Sequence, residues 1–407
     1  MSLFGSLYVG ASGLQTGQNA LNTTAHNLSN VDTKGYTRQQ TLLTDKNYNL
    51  LSVNPKAAAN QQTGLGVTYA DVRQVRDSFL DQKYRKESGR SAFYEVSYNT
   101  LGEVETLLGE LDGESFSESM NDLWEAVQEL AKQPASSVTQ GLLIQRASQF
   151  VEQAGNVYSA LSKYQDNLNN QIKGEVDQIN QYADRLFALN NEIIKIETGG
   201  IERANDLRDE RNQILDALSG YGNISYSEDW NGSVNVKYEG HTLVNATQVF
   251  KIGLDQDSDT GFYTPFWQGD AKKIPQENGT FRYDISNCKV FDLTREISTA
   301  CNTDIGSLKG MLVARGDHRA DYTDLQDADA YNETISSSIL MNVEAEFDNL
   351  VHNIVTKINE VLENAAEKEG APYLRNEDGT IIQLFQRISS DTYDENGKLI
   401  RGGSVGR

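Results

Sequence analysis

The chain has 407 residues, with 58 Asp and Glu against 36 Lys and Arg, giving a net charge of −22. A surface this acidic repels phosphate and so speaks against nucleic acid and anionic membrane as partners, and no run of about 18 apolar residues is present to span a bilayer. Two cysteines, Cys288 and Cys301, are too few for a disulfide scaffold or a cysteine zinc site, while only five prolines suit long unbroken helices.

Leu7, Leu14, Leu21 and Leu28 recur every seven residues, with Ala11 and Ala25 at the intermediate positions. This a/d seam predicts a helix that packs lengthwise on other helices. Gly5, Gly10, Gly13 and Gly17 weaken it by about 1 kcal/mol each, roughly 4 kcal/mol together. Alone, such a segment is predicted to be disordered, becoming helical when its seam finds partners. The pattern also fits an N-terminal helix docked on the chain's own core. The first residues, Met-Ser-Leu-Phe-Gly-Ser-Leu-Tyr, lack the basic start and apolar core of a secretory signal, which argues against Sec-type export.

The run Ala25 to Gln40 predicts a helix end at Asn30, an Asx turn, a left-handed position at Gly35 and an extended start at Tyr36. With Asn27, Leu28, Asn30, Thr33, Gly35 and Tyr36 at fixed spacing behind a heptad helix, it resembles the signature A-x-N-L-[AS]-N-x-x-T-x-G-[YF] of bacterial flagellar axial proteins. Arg38-Gln39 after the tyrosine is similar to the hook-associated type. Residues 1–40 therefore read as an axial helix and signature turn, and 41–71 as an extended linker, in which Gly64-Leu65-Gly66 is a turn leading into a short strand.

Residues 72–220 read as a long helical bundle. Helical periodicity is predicted from Val72 through Val75, Phe79, Phe93, Val96, Val104, Leu107 and Leu111. A shorter helix follows, with Ser117 as N-cap and Met120, Leu123, Trp124, Val127 and Leu130 on one face. The longest stripe is Phe150, Ala154, Val157, Leu161, Tyr164, Leu168, Ile172, Val176, Ile179, Ala183, Leu186, Ile193 and Ile196. It predicts one helix of about 60 residues, roughly 90 Å long, unless Gly155 or Gly174 breaks it. Asn205, Asp206, Leu207, Asp209 and Arg211 then open a segment of mixed charge, which alone would mean a solvated helix face. Followed by a serine and by the β pattern of Val234 to Val244, it resembles the hook-associated protein 1 (FlgK) family.

Over 221–317 the period shifts toward two, with dense aromatics and Gly/Asn turns such as Trp230-Asn231-Gly232 and Asn278-Gly279. This predicts a β-rich outer domain. Gly306-Ser307-Leu308-Lys309-Gly310-Met311-Leu312-Val313-Ala314-Arg315 resembles the G-S-L-x-G-[LM]-L-x-x-R segment of the same family. Residues 318–366 return to the bundle through a helix carrying Ile339, Val343, Phe347, Leu350, Ile354, Ile358 and Val361, and 367–407 read as a loop with a weak hairpin at Asp394 to Lys398. The resemblance implies a closing second heptad helix. None lies before Arg407, so the sequence reads as lacking the family's C-terminal portion or as an atypical form.

Several patterns imitate chemistry. Gly402-Gly403-Ser404-Val405-Gly406 has the letters of a nucleophile elbow but only Arg407 after it. Asp255 to Gly261 looks like the start of a calcium loop, yet its glycine is one place late and Phe266 stands where the closing glutamate belongs, so a polar hairpin turn is predicted. His26, His241, His318 and His352 are dispersed and form no zinc motif, His26 reading as a packing or capping residue. No catalytic residue, cofactor site or metal site is predicted.

The predicted fold class is mainly α, an elongated helical bundle or coiled-coil stalk with an inserted β-rich domain. The resemblance implies a structural subunit of the hook–filament junction that self-assembles through Leu7, Leu14, Leu21 and Leu28 and is exported unfolded through the flagellar type III channel. It also implies hook subunits and the next hook-associated protein as neighbours, an export chaperone for the missing C-terminal part, and a flagellar, secreted location. A hook or distal-rod subunit with an unusual insert, or a secreted coiled-coil adhesin, are the alternatives.

Overall fold

A computed structural model describes residues 3–46, 49–54, 59–108, 116–200, 202–275, 281–326, 328–368, 379–381 and 383–386. The hairpin expected at Asp394 to Lys398, the Gly-x-Ser-x-Gly letters at 402–406, Leu111 and the Asn278-Gly279 turn lie outside the described residues. In chain order the elements are α1 (Leu3–Ser29), β1 (Gln39–Asp45), β2 (Asn49–Asn54), β3 (Ala59–Thr63), β4 (Val67–Gln74), α2 (Ser78–Leu107), α3 (Phe116–Lys132), α4 (Ser137–Glu197) and α5 (Asn205–Tyr221). Then come β5 (Ile224–Glu228), β6 (Val234–Tyr238), β7 (His241–Val244), β8 (Ile252–Gln256), β9 (Tyr263–Trp267), β10 (Lys272–Pro275), β11 (Phe281–Asp284) and α6 (Ser307–Arg315). A short α7 (Ala328–Ala330) runs into a π turn, and α8 (Ile339–Ala366) follows. The fold is mainly α with small antiparallel sheets between the helices.

The span 41–71 is not an extended linker. Its strands pair, β1 with β4 and β2 with β3, both antiparallel. The β-branched Thr41 and Thr44 suit a strand, and the register of β1 slips between Leu42 and Leu43. Helix α2 also begins later than the apolar spacing predicted, because Val72 belongs to β4. Asp77 supplies the start, its carboxylate accepting the main-chain N–H groups of Phe79 and Leu80 at 2.9 and 3.3 Å. Ser117 lies inside α3, and Trp124 points to solvent at 62 % exposure while Leu123 and Ala126 are buried. Neither glycine breaks α4, which runs 61 residues. The strands expected as one β-rich domain over 221–317 form separate sheets, β5-β6-β7, β8-β9 and β10-β11.

The chain divides into two compact units, residues 1–89 with 178–251 and residues 90–177 with 252–407. In the first, most of the buried apolar side chains come from the C-terminal part of α4 (Ile179, Ala183, Leu186, Leu189, Ile193), from α5 (Ile214, Leu215, Leu218) and from β6 and β7 (Val234, Val236, Tyr238, Leu243, Val244). Asn190 on α4 fastens the sheet by exchanging two hydrogen bonds with the main chain of Val234.

In the second unit α4 buries Phe150, Val157, Leu161, Leu168, Ile172 and Val176. Between Leu161 and Leu168 the buried position is Gln165 rather than Tyr164. Its amide donates to the carbonyls of Arg315 and His318 at 2.8 and 3.0 Å, which offsets the cost of burying it. Arg315, at the end of α6, is 3 % exposed. It donates to Asn169 Oδ1 at 2.6 Å and to the carbonyl of Tyr263, and stacks on the Phe262 ring 4.6 Å away. Burial lowers its pKa to about 10. Gly310 touches the main chain of Phe93 so closely that an added Cβ would sit 3.2 Å from that carbonyl oxygen, which explains a glycine inside α6.

Glu175 receives the Ser307 hydroxyl at the start of α6, at 2.8 and 2.9 Å from its two oxygens. Burial raises its pKa to about 7. The folded chain therefore holds this proton where the unfolded chain has lost it, so stability falls as pH rises from about 4.5 and levels off above about 7. Glu175→Gln keeps the acceptor for Ser307 and removes the titration. Thermal unfolding is expected to show the variant equal to the parent near pH 4.5 and more stable at pH 8, by on the order of 2–3 kcal/mol.

Candidate functional site

Helix α1 has two unlike faces. Ser12 and Thr16 are each 5 % exposed, and Asn19, Thr23 and Asn27 continue that side as half-buried residues. This polar stripe meets the β1–β4 pair. The Ser12 hydroxyl accepts the N–H of Val67 at 3.2 Å, and Thr41 bonds Thr23, hydroxyl to hydroxyl, at 3.1 Å. The heptad seam faces the other way. Leu7, Leu14, Leu21 and Leu28 are 68, 78, 70 and 74 % exposed, and Ala11 and Ala25 are exposed beside them. The helix is attached to its own unit by hydroxyls and amides, and its leucines are left in water.

The turn after α1 is closed by the residues that make up the signature. The Asn30 side chain donates to the carbonyl of His26 at 3.0 Å and accepts the Thr33 hydroxyl at 3.2 Å, and the Tyr36 N–H reaches the carbonyl of Thr33. Gly35 takes φ +84°, which disfavours any side chain there. Asn27 then acts as a substitute strand. Its amide donates to the carbonyl of Gln39 at 2.8 Å, while its oxygen accepts the Gln39 N–H and the Tyr36 hydroxyl, each at 2.8 Å. His26 packs here as expected, its ring edge-on to Tyr36 at 5.5 Å with Nδ1 3.0 Å from the hydroxyl. Arg38 contributes its carbonyl, which accepts the N–H of Val75 at 2.9 Å.

The second motif turns out to hold the first. Asp209 on α5 is 5 % exposed. One of its oxygens accepts the N–H of Thr37 at 3.1 Å and the other the Gln74 amide at 2.8 Å. Burial pushes its pKa up, against the opposing pull of the Thr37 bond and the Arg76 charge. Asn205 donates to the carbonyl of Val72 at 2.8 Å, and Gln213 to that of Lys34 at 3.2 Å. Arg211 is buried and points elsewhere, donating to the carbonyl of Gly232 at 2.6 Å and pairing with Glu228 at 3.3 Å. Asp206 is exposed and Leu207 half-buried. Gln74, Gln213, Ser12 and Thr16 escaped the sequence reading, since a glutamine or a hydroxyl carries no spacing signal of its own.

The Asp255 to Gly261 segment is a hairpin turn, its Asp257 carboxylate taking the N–H groups of Asp259 and Thr260. Among the described residues no group of three metal-ligating side chains gathers, and no helix is long and apolar enough to cross a membrane. What the arrangement offers is an apolar surface on a fixed helix.

That helix and turn lie in a segment, residues 7–37, that matches the flagella basal body rod protein family. The helical domain of the flagellar hook-associated protein FlgK matches residues 101–373, and the chain therefore belongs to that family. Flagellar hook-associated protein 1 of Bacillus subtilis (strain 168) is 26 % identical over 375 residues, covering 91 % of this chain and 69 % of the relative. The protein of the same name from Salmonella typhimurium is 29 % identical over 243 residues, covering 59 % of this chain and 42 % of that protein. The flagellar hook junction protein FlgK from Burkholderia pseudomallei, a solved structure, overlaps 58 % of this chain and 38 % of its own at 17 % identity, with a TM-score of 0.44.

Asp209→Ala is expected to free the turn from α5 at a cost of about 2–3 kcal/mol, the penalty for leaving the Thr37 and Gln74 donors unpaired. Hydrogen exchange at residues 33–40 should rise at least tenfold while exchange in β6 stays unchanged. Equal exchange in variant and parent would remove Asp209 from its anchoring role.

Proposed function

We propose that this chain is a structural subunit of the hook–filament junction that assembles by joining copies of itself along the α1 seam. The observation that carries this reading is the exposure of Leu7, Leu14, Leu21 and Leu28 on a helix that is otherwise fastened to its own unit. A contiguous apolar stripe of this kind on a secured element marks an association surface. The family membership supports a place in the flagellum, and the names of the relatives support the hook-associated position within it.

In this reading the neighbours are other copies, hook subunits on one side and the next hook-associated protein on the other. Export proceeds through the flagellar type III channel as an unfolded chain, aided by a chaperone that binds the C-terminal portion implied by the family resemblance. Gly10, Gly13 and Gly17 inside α1 support this, each weakening the helix by about 1 kcal/mol relative to alanine and so delaying its formation until partners are met. The chain acts through shape and adhesion, without catalysis.

The test is the double variant Leu14→Glu, Leu21→Glu. Both side chains are in water, so the unfolding free energy of the isolated chain should change by no more than about 0.5 kcal/mol, while incorporation into flagella and motility are lost. Normal incorporation of the double variant would overturn the role of the seam.

A further inference from the structure

Trp230 is 99 % exposed. It stands at the tip of the turn joining β5 and β6, and that turn is tied down. The N–H of Asp229 reaches the carbonyl of Ser233 at 2.7 Å, the N–H of Gly232 returns to the carbonyl of Asp229 at 3.0 Å, and Asn231 Oδ1 accepts the N–H of Ser233 at 3.0 Å. Asn235 donates to the Asp229 carboxylate at 2.9 Å, and Arg211 grips the carbonyl of Gly232. At the foot of the turn Glu228 pairs with Arg208 at 2.7 Å, and Arg208 with Glu197 at 2.7 Å. The turn that carries the indole is fixed while the indole itself stands in full contact with water, so a partner that covers it gains a large apolar surface presented from a set position, which is the property of a binding anchor.

The same unit also contains an open recess. A cleft of about 470 Å³ is lined by Val9 and Gly13 of α1 and by Asp45, Lys46, Gly64, Gly66 and Val67 beside it. Most of that lining is apolar, and the volume is ample for an indole. The Lys46 ammonium lies 5.7 Å from the centroid of the Tyr8 ring and has no carboxylate partner among the described residues. It is placed to take an aromatic face and the carboxylate of Asp229, which precedes Trp230.

Charge favours this meeting between copies. Residues 1–76 hold six Lys and Arg against three Asp and Glu, net +3, which leaves 30 against 55 in the remainder, net −25. An acid-flanked tryptophan on one copy is thus drawn to the net-positive N-terminal segment of another, where Lys46 stands beside Asp45 in the cleft wall. We infer that Trp230 inserts into the α1 cleft of a neighbouring copy, a head-to-tail contact that is added to the leucine seam. Such a heterologous contact builds a ring or a helical layer, according to whether the rotation closes. The inference rests on the self-assembly reading above and names the contacting residues.

A photo-crosslinking amino acid at position 230 of the full chain, irradiated in assembled flagella of the source bacterium, tests it. The expected product joins position 230 of one copy to a peptide containing residues 9–13 or 64–67 of another. Gly13→Phe fills the cleft; an added Cβ there meets nothing within 4 Å, and loss of a helical glycine favours α1, so the fold is kept. It should lower the crosslink yield at least fivefold. Lys46→Glu should do the same, with Lys46→Arg restoring the parent yield. Crosslinks to a different protein or to another face of this chain, or no crosslink in flagella that contain the chain, would overturn the contact while leaving the seam intact. Absence of the chain from the flagellum would remove both.

Discussion

The buried carboxylate of Asp209 is the interaction on which the placing of the exposed leucine face depends. It takes the Thr37 N–H with one oxygen and the Gln74 amide with the other, and so ties the turn after α1 and the end of β4 to the first turns of α5. A carboxylate in a site that raises its pKa is costly to keep ionised, and it is retained where hydrogen bonds to its oxygens offset much of that cost. Two motifs 170 residues apart thereby become one structure. Asn205 and Gln213 extend the junction to Val72 and Lys34. The direction in which α1 leaves the unit follows from this anchorage, because Asn27 binds both main-chain groups of Gln39 immediately beyond the turn.

The faces of α1 are reversed relative to a helix of an ordinary globular domain. There the leucines face inward and the polar residues outward; here Ser12 and Thr16 are inside and the leucines outside. The energies make sense of the reversal. A hydroxyl or amide bond nets about 0.5–1.5 kcal/mol, so the few that hold α1 suffice to orient it without much stabilising it. Burying a leucine side chain is worth roughly 1.5–3 kcal/mol, so four of them offer roughly 6–12 kcal/mol to whatever covers the seam. The weak term positions the helix, and the strong one is left for the association proposed above.

Much of this was visible in the residues because it depends on periodicity. The seven-residue leucine step and the stripe from Phe150 to Ile193 are geometric consequences of the helix, and the structure places them on single faces. What was hidden depends on contacts between distant segments. Gln165 replaces Tyr164 in the buried stripe since the carbonyls of Arg315 and His318 wait opposite it, a fact that no local pattern contains. Val72 and Val75 suited a helical spacing, but cross-strand pairing of β4 with β1 claimed the first of them and Asp77 fixed the helix start after the second. Leucine exposure was likewise undecidable from the heptad alone, since a seam buried at home and a seam left free have the same spelling.

Charge closes the argument about assembly. Copies of a chain carrying −22 repel one another, the more so when packed in a layer, and apolar contact must exceed that repulsion. The sequence separates the two demands along its length. The first 31 residues contain no Asp, Glu, Lys or Arg, so the seam adds no like-charge term where helices approach most closely. The acids are carried by the remainder, where like charge opposes unspecific association. On the proposed reading, a neutral adhesive helix fixed to an acidic body confines the contacts between copies to those that α1 takes part in.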